Sequence, residues 1–324
     1  MKITIVGAGA VGGLLAARLA ETGLDVSILA RGESLEAIQT NGLQIATPTG
    51  VRSMALRAEK DPFRLGLQDV VIIAVKTTAL SQVVPTLAPL IGNDTAVVCA
   101  MNGVPWWFFA DPTVPHAGLR LHSLDPDGLL ADSIPAGQLI GCVVHLSSRS
   151  TTPGLIEAGS GNHLILGNAL GGTSNNLTQI IQLLRSAGFD ATASATIRTD
   201  IWYKLWGNMT LNPLSAMTGA TCDRLLDDPL TKQFCLAVMK EAATIGIHIG
   251  CPLEQTGEER MQLTRQLGTF KTSMLQDVEM NKPLEIDALI GAVQEIGRHL
   301  AIATPGIDSL LGMVRVFARE KNLY

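Results

Sequence analysis

Residues 2–12 read Lys2-Ile3-Thr4-Ile5-Val6-Gly7-Ala8-Gly9-Ala10-Val11-Gly12. The apolar start predicts a β-strand, and the Ala- and Leu-rich stretch from Gly13 to Glu21 predicts the helix that follows. In this strand–turn–helix context, the glycines allow a tight turn, a close approach to a pyrophosphate, and close helix–strand packing. Helix N–H groups would bind the phosphate oxygens. We therefore predict that residues 7–12 bind a dinucleotide; the alternative is a glycine-rich turn without a ligand.

The end of the second predicted strand, Asp25–Ala30, indicates which dinucleotide binds. A carboxylate at this point would bind the ribose 2′-hydroxyl and favour NAD. The next residue is Arg31, whose guanidinium suits a 2′-phosphate. We therefore predict NADPH as the cofactor and Arg31 as a cofactor-binding residue. Glu33 lies two residues further on, and a carboxylate there would instead favour NAD. The alternative interpretation of Arg31 is a solvated loop arginine.

Composition limits the class of protein. The chain has 324 residues, 47% of them hydrophobic and 16% charged, which predicts two domains with large cores. A net charge of -5 without a basic cluster argues against nucleic-acid or membrane partners. No apolar run is long enough to cross a bilayer, and the start enters a strand rather than a signal peptide, so we expect a cytoplasmic protein. The five scattered cysteines predict neither disulfides nor a metal site.

Strand and helix patterns divide the chain in two. Strands alternate with helices in the first half, with later candidates at Leu139–Leu146 and in a hairpin at the sheet edge near residues 154–167. Long helical patterns follow from about Arg198. We predict an α/β Rossmann-type doubly wound domain at 1–195 and an all-α helical domain at 196–324. The predicted helices are Thr199–Met217, Pro229–His248, Leu253–Met280, Leu284–Leu300 and Ile307–Lys321.

A polar row on an apolar helix is the second informative feature. Residues 202–214 are mostly apolar and aromatic, yet Lys204, Asn208 and Asn212 recur every fourth residue and share one face. Polar groups on a buried helix need partners, and a small polar substrate would supply them. A solvated stripe on an amphipathic helix is the alternative. Pro213 lacks an N–H and should loosen the helix near Met209.

Two further polar residues are candidates. We expect Ser273 inside a helix and Glu285 in the first turn of the next. An acid in a first turn also complements the helix dipole, which alone would explain Glu285.

Taken together and in order, these motifs resemble the ketopantoate reductase (2-dehydropantoate 2-reductase) family over nearly the whole chain. The set comprises Gly7-x-Gly9-x-x-Gly12, Arg31, Val75-Lys76, Asn102-Gly103, Lys204-x-x-x-Asn208-x-x-x-Asn212-Pro213, Ser273–Asp277 and Glu285-Ile286-Asp287. The resemblance implies a Rossmann domain, a helical domain and a cleft between them. It implies an NADPH-dependent oxidoreductase whose small-molecule partner is a 2-keto acid substrate. We also expect a homodimer.

The resemblance also implies residue roles. On the substrate side, Lys204 matches the catalytic proton donor, Asn208 and Asn212 match amides that bind substrate oxygens, and Ser273 matches a residue near the substrate carboxylate. Glu285 matches a catalytic carboxylate that also reaches the cofactor ribose.

On the cofactor side, Arg31 matches the 2′-phosphate arginine. Lys76 matches a residue near the cofactor or the substrate entrance. Asn102 matches the asparagine beside the nicotinamide, where cofactor and substrate meet.

One segment departs from the family pattern. Asn102-Gly103 is followed by the aromatic run Val104–Phe109 and by a long turn-rich stretch, Ala110–Gln138. This segment could build a bulkier substrate pocket, or a packing or dimer surface. Two other functions therefore stay open: reduction of a different, bulkier 2-keto acid, and non-catalytic NADP-binding regulation. A β-hydroxyacid dehydrogenase is disfavoured, because Arg198–Ile201 stands where that group has a glycine-rich turn.

Overall fold

The computed structural model describes residues 1–47, 49–266 and 268–324. The chain forms two compact units. Unit 1 comprises Met1–Met101 and Leu129–Ile197, and unit 2 comprises Asn102–Gly128 and Arg198–Tyr324.

Unit 1 is an α/β unit built on one sheet. Its strands are β1 (Lys2–Val6), β2 (Asp25–Leu29), β3 (Leu43–Thr47), β4 (Gly50–Met54), β5 (Arg57–Glu59), β6 (Val70–Ile73), β7 (Ala96–Ala100), β8 (Leu139–Thr152), β9 (Leu155–Asn168) and β10 (Asp190–Ala193). Its helices are α1 (Ala10–Ala20), α2 (Gly32–Asn41), α3 (Leu80–Val83), α4 (Leu129–Ser133) and α5 (Asn175–Ser186). The strand order is β4-β3-β9-β8-β7-β6-β1-β2-β5, and β10 also pairs with β9.

The parallel part of the sheet sets the position of the site residues in unit 1. Strands β5, β2, β1, β6, β7 and β8 run parallel, and β6 and β7 are buried along their whole length. Burial on both faces explains their continuous apolar sequence. The carboxyl ends of parallel strands lie at one edge of a sheet, so Gly7, Arg31 and Lys76 all follow strands at that edge.

The edge hairpin differs from the prediction. Strand β8 continues to Thr152 and pairs antiparallel with β9 along its length, and β9 lies inside the sheet because β3 and β10 also pair with it. Gly154 lies in the turn between β8 and β9, whereas Gly159 and Gly167 lie within β9. Gly161, at φ +81°, stands at a register shift opposite Leu146. Glycine inside a strand is typical of a bulge.

Unit 2 is mostly helical. Its helices are α6 (Ile197–Thr218, whose first residue belongs to unit 1), α7 (Cys222–Asp227), α8 (Pro229–His248), α9 (Gly257–Gln266), α10 (Ser273–Glu279), α11 (Ala292–His299) and α12 (Pro305–Glu320). A π-helical turn, Asp287–Gly291, leads directly into α11. Helix α6 continues through Pro213 to Thr218. No helix in the described part of the chain is long and apolar enough to span a membrane.

The single helix predicted for Leu253–Met280 is wrong, because two helix starts lie within it. At the start of α9, the Thr256 N–H donates to Glu259 Oε2 over 2.7 Å and the Glu259 N–H donates to Thr256 Oγ1 over 3.2 Å. This reciprocal pair is a capping box. At the start of α10, Thr272 Oγ1 accepts the Leu275 N–H. Capping residues inside an apolar pattern therefore mark a second helix.

The aromatic segment is a packing element of the helical unit, whereas the predicted division placed it in the first domain. Phe108 is fully buried, and its ring centroid lies 6.1 Å from that of Trp202. The guanidinium of Arg198 lies over the Phe108 ring and donates to the Phe108 carbonyl and to the Ile249 carbonyl. Burial lowers the pKa of Arg198. These contacts explain why Asn102–Gly128 belongs to unit 2.

Candidate active site

Two glycines of the loop are required by the protein itself. Gly7 has φ +106°, and a Cβ added there would lie 2.8 Å from Val75 Cγ1. A Cβ on Gly12 would lie 2.0 Å from the Gly7 carbonyl oxygen. The turn and the close packing of α1 on β1 therefore exclude larger side chains at both positions.

Gly9 is different, because the protein leaves space around it. No atom lies within 4 Å of a Cβ added there. Gly9 is the N-cap residue of α1 with an extended backbone, and no side chain caps the helix. Ala10 and Val11, which open α1, are half-buried, and Ala8 is buried. Backbone donors beside an open space suit a pyrophosphate, so this loop fits the dinucleotide predicted from the sequence.

Arg31 is exposed immediately after β2 and is the N-cap residue of α2. Its Nη1 has one long contact, 3.4 Å to Gln82 Oε1. Glu33 stands in the first turn of α2. An exposed and weakly bound guanidinium fits a 2′-phosphate. Lys76 follows β6, is half-buried, and starts a short 3₁₀ turn at Thr77–Ala79.

In unit 2 the structure brings Lys204 together with Asn102. Lys204 Nζ donates to Asn102 Oδ1 over 2.8 Å. Lys204 is half-buried on α6, and the buried Trp202 and Trp206 stand two residues before and after it in the sequence. The Trp206 indole N–H donates to the Met239 carbonyl over 2.8 Å, which fixes that part of α6 on α8. The ammonium is thus oriented by the amide oxygen of Asn102.

The turn that carries Asn102 is held by the π-helical turn. Gly103 has φ +79°, and a Cβ added there would lie 2.5 Å from the Ala288 carbonyl oxygen. The same oxygen accepts the Val104 N–H over 2.9 Å. The Asn-Gly dipeptide is a turn signal, but the role of Gly103 in contacting Ala288 depends on a segment far away in the sequence. π-Helical turns are frequent at functional sites.

The two amides of the polar row differ from Lys204 in their hydrogen bonding. Asn208 is half-buried, and Asn212 is buried with 7% of its surface exposed. Within the described residues, neither side chain makes a hydrogen bond. Most buried polar side chains in proteins are hydrogen-bonded, so these amides are suited to a polar ligand. The burial of Asn212 is not expected for a fully solvated stripe, whereas Lys204 and Asn208 are half-buried.

Ser273 and Glu285 occupy helix starts, which corrects both expectations. Ser273 is the exposed first residue of α10, not an interior one, because Thr272 caps the helix. Glu285 is half-buried and stands before the helical residues, and its carbonyl accepts the Leu289 N–H over 3.2 Å. The segment around Glu285 is tied to the C-terminus: the Leu284 N–H donates to the Leu323 carbonyl, and Tyr324 Oη donates to Asp287 Oδ1.

Comparison with known proteins identifies the family. A model described as ketopantoate reductase PanE/ApbA matches residues 3–170, and its C-terminal counterpart matches residues 196–318. The chain is 43% identical to a 2-dehydropantoate 2-reductase from Mesorhizobium japonicum, over 100% of both chains.

Solved structures agree. A structure from Ralstonia solanacearum MolK2, described as a candidate ketopantoate reductase, is 55% identical, has a TM-score of 0.96, and is matched over 100% of this chain and 99% of its own. A 2-dehydropantoate 2-reductase from Geobacter metallireducens GS-15 is 25% identical with a TM-score of 0.84, over 97% of this chain and 99% of its own. With two family models matching most of its length, the chain belongs to the ketopantoate reductase family.

Proposed function

We propose that this protein is an NADPH-dependent oxidoreductase that reduces the ketone of 2-dehydropantoate to the 2-hydroxy acid. The observation that carries the proposal is the pair Lys204 Nζ and Asn102 Oδ1, 2.8 Å apart, in a chain of this family. The Mesorhizobium relative, 43% identical over its whole length, carries the name of this activity.

Lys204 has the properties of the proton donor. Reduction of a ketone places negative charge on its oxygen, and a positioned ammonium stabilises this charge and donates a proton to it. Asn102 accepts one N–H of the ammonium and so fixes its direction. The carbon gains a hydride, the oxygen gains the proton of Lys204, and a 2-hydroxy acid results. Lysine then regains its proton from solvent.

The other site residues hold the substrate in this proposal. The amides of Asn208 and Asn212, which have no partner in the described chain, bind its oxygens. Ser273 lies at the start of α10, where its hydroxyl is exposed to a ligand carboxylate. Glu285 accepts hydrogen bonds from substrate or ribose hydroxyls.

The cofactor assignment rests on unit 1. When bound, NADPH supplies the hydride. The open space at Gly9 and the uncapped start of α1 would hold its pyrophosphate, and Arg31 would bind its 2′-phosphate. Lys76 adds positive charge at the same sheet edge. Arg31→Ala should therefore weaken NADPH binding more than NADH binding.

A steady-state assay tests the proposal. NADPH oxidation is followed by absorbance with 2-dehydropantoate and with larger aromatic and branched 2-keto acids. We expect the highest kcat/KM with 2-dehydropantoate. A clear preference for an aromatic acid would replace the substrate but keep the reaction. Binding of NADPH without oxidation by any keto acid would favour the non-catalytic regulator.

The burial of the aromatic segment supports the smaller substrate. Trp106, Trp107, Phe108 and Phe109 are each at most 8% exposed, as expected for packing rather than for a wide pocket. The homodimer and the cytoplasmic location expected from the sequence stay predictions. Light scattering after gel filtration tests the first, and cell fractionation tests the second.

A further inference from the structure

A second cation, Arg260 of α9, lies beside the polar row of α6. Its Cζ is 4.7 Å from the centroid of the Tyr203 ring. A Cβ added to Gly207 would lie 2.8 Å from both its Nε and its Nη2. Tyr203 and Gly207 are one helical turn apart and bracket Lys204 along the axis. The guanidinium is thus held against α6 at the height of the lysine.

Arg260 covers the side of α6 that carries Tyr203 and Gly207, and this side is adjacent to the one that carries Lys204. Positions 204 and 207 are separated by about 60° around the helix, and their Cβ positions lie about 5–6 Å apart. Gly207, which the guanidinium approaches, therefore lies next to Lys204 on the surface of α6. All of these residues belong to unit 2.

The charge of Arg260 has no counter-ion among the described residues. Its Nε is buried and has no hydrogen-bond partner. Within the part of the chain that the structure describes, no carboxylate forms an ion pair with it. Arg265 on the same helix is different, because it pairs with Asp227 over 2.5 Å at the exposed surface. An unpaired and partly buried guanidinium favours binding of an anion.

Gly207 provides the room for this arrangement. Glycine in a helix interior is less favourable than alanine, so a packing or functional reason for it is expected. The reason visible here is the approach of the Arg260 guanidinium to the helix backbone.

We propose that Arg260, in addition to Ser273, binds the carboxylate of the 2-keto acid whose ketone faces Lys204; this inference rests on the proposed function. In a 2-keto acid the carboxylate is bonded directly to the ketone carbon, so the two groups need two donors only a few ångströms apart. The planar fork of arginine matches a carboxylate with two parallel hydrogen bonds. Stacking on Tyr203 keeps the fork in one orientation.

The test compares Arg260→Gln with the matched control Arg265→Gln. The substrates are 2-dehydropantoate and its uncharged methyl ester. For Arg260→Gln we expect kcat/KM for the acid to fall about 10- to 100-fold, mainly through KM, while that for the ester is unchanged. Arg260→Lys should recover part of the loss. Arg265→Gln should leave both substrates unaffected.

Gly207→Ala provides a second variant, because its methyl group would displace the guanidinium. It should lower kcat/KM for the acid but not for the ester, and add little to Arg260→Gln. An equal loss for acid and ester would show a structural role and overturn the inference, as would an unchanged KM for the acid in Arg260→Gln.

Equilibrium binding separates this inference from the proposed function. Calorimetric titration of the NADPH complex with the 2-hydroxy acid product measures carboxylate binding without turnover. A tenfold weaker Kd in Arg260→Gln supports the inference even if wild-type protein reduces no keto acid, a result that would reject only the proposed function. An unchanged Kd would reject the inference even if the enzyme is active.

Discussion

Unit 1 and unit 2 present their candidate ligand groups in different ways. At the start of α1 the groups are backbone N–H donors, made accessible by an absent side chain at Gly9. On α6 they are side chains, and two of them are amides that make no hydrogen bond within the described part of the chain. Substitutions should therefore act through volume in unit 1 and through charge and hydrogen bonding in unit 2.

Helix starts differ in whether a side chain caps them. Asp228 caps α8 by accepting the Thr231 N–H, and Thr272 caps α10 by accepting the Leu275 N–H. In unit 1, Ser174 caps α5. No side chain caps α1. A helix start that is satisfied by its own cap is structural, whereas an uncapped start next to open space suits an anion.

The largest expected effect is on catalysis. Lys204→Met should lower kcat about 10²- to 10⁴-fold, because the proton donor is lost. NADPH affinity, measured by fluorescence titration, should change little, since the groups that we assign to the pyrophosphate and the 2′-phosphate lie in unit 1. Lys240→Met, at an exposed lysine of α8, is the control and should keep full activity. A loss of NADPH binding in Lys204→Met would contradict the separate roles that we assign to the two units.

Gly12→Ala should destabilise the protein. Its methyl group would lie 2.0 Å from the Gly7 carbonyl oxygen, so α1 must shift from β1. Overpacking of this kind costs about 1–3 kcal/mol. Thermal unfolding should show a lower Tm, and NADPH binding should weaken as well. Gly312→Ala is the control: this exposed helical position has no atom within 4 Å of the added methyl group, and we expect an equal or higher Tm.

Gly9→Ala separates ligand binding from stability. The protein has room for the methyl group, so the Tm of the apoprotein should stay the same. The methyl group would enter the space that we assign to the pyrophosphate, so the Kd for NADPH should rise about tenfold, through loss of a close approach. An unchanged Kd would show that the open space at Gly9 does not hold the phosphates.

The smallest expected effect concerns a structural cap. Hydrogen bonds from Thr231 lower the pKa of Asp228. Its contribution to stability is therefore present above the unfolded-state pKa of about 3.9 and is lost as the pH falls through the lower folded-state pKa.

Asp228→Asn is the informative variant. Asparagine also caps helices, so the Tm at pH 7 should stay close to that of the wild type, while the acid-induced decrease below about pH 4 should become smaller. Asp228→Ala should instead lower the Tm at both pH values. If the Tm of Asp228→Asn decreases at acidic pH as much as that of the wild type, this carboxylate does not contribute to the pH dependence of stability.

Local patterns predicted much of the fold. The strand–glycine–helix start, the parallel strands β1, β2, β6 and β7, and helix α8 all follow from short-range signals. The division of residues 253–280 into α9 and α10 was missed, because the capping residues stand inside one apolar pattern. The length of β9 was missed as well, because glycines at bulges resemble turns.

The candidate site shows the same limit. Local spacing placed Lys204, Asn208 and Asn212 on one helix face, because helical periodicity depends only on nearby residues. The pairing of Lys204 with Asn102, which are 102 positions apart, depends on chain packing. So does the contact of Gly103 with Ala288.

By itself, the sequence determined which residue types carry the chemistry and which of them share a helix, a strand end or a glycine loop. Only the tertiary structure decided that the aromatic segment packs with the helical unit, that Asn102 orients Lys204, and that Arg260 approaches Gly207 with no carboxylate partner among the described residues. The physical reason is that periodicity and turn preferences act over a few residues, whereas burial and ion pairing depend on segments that meet only in the folded chain.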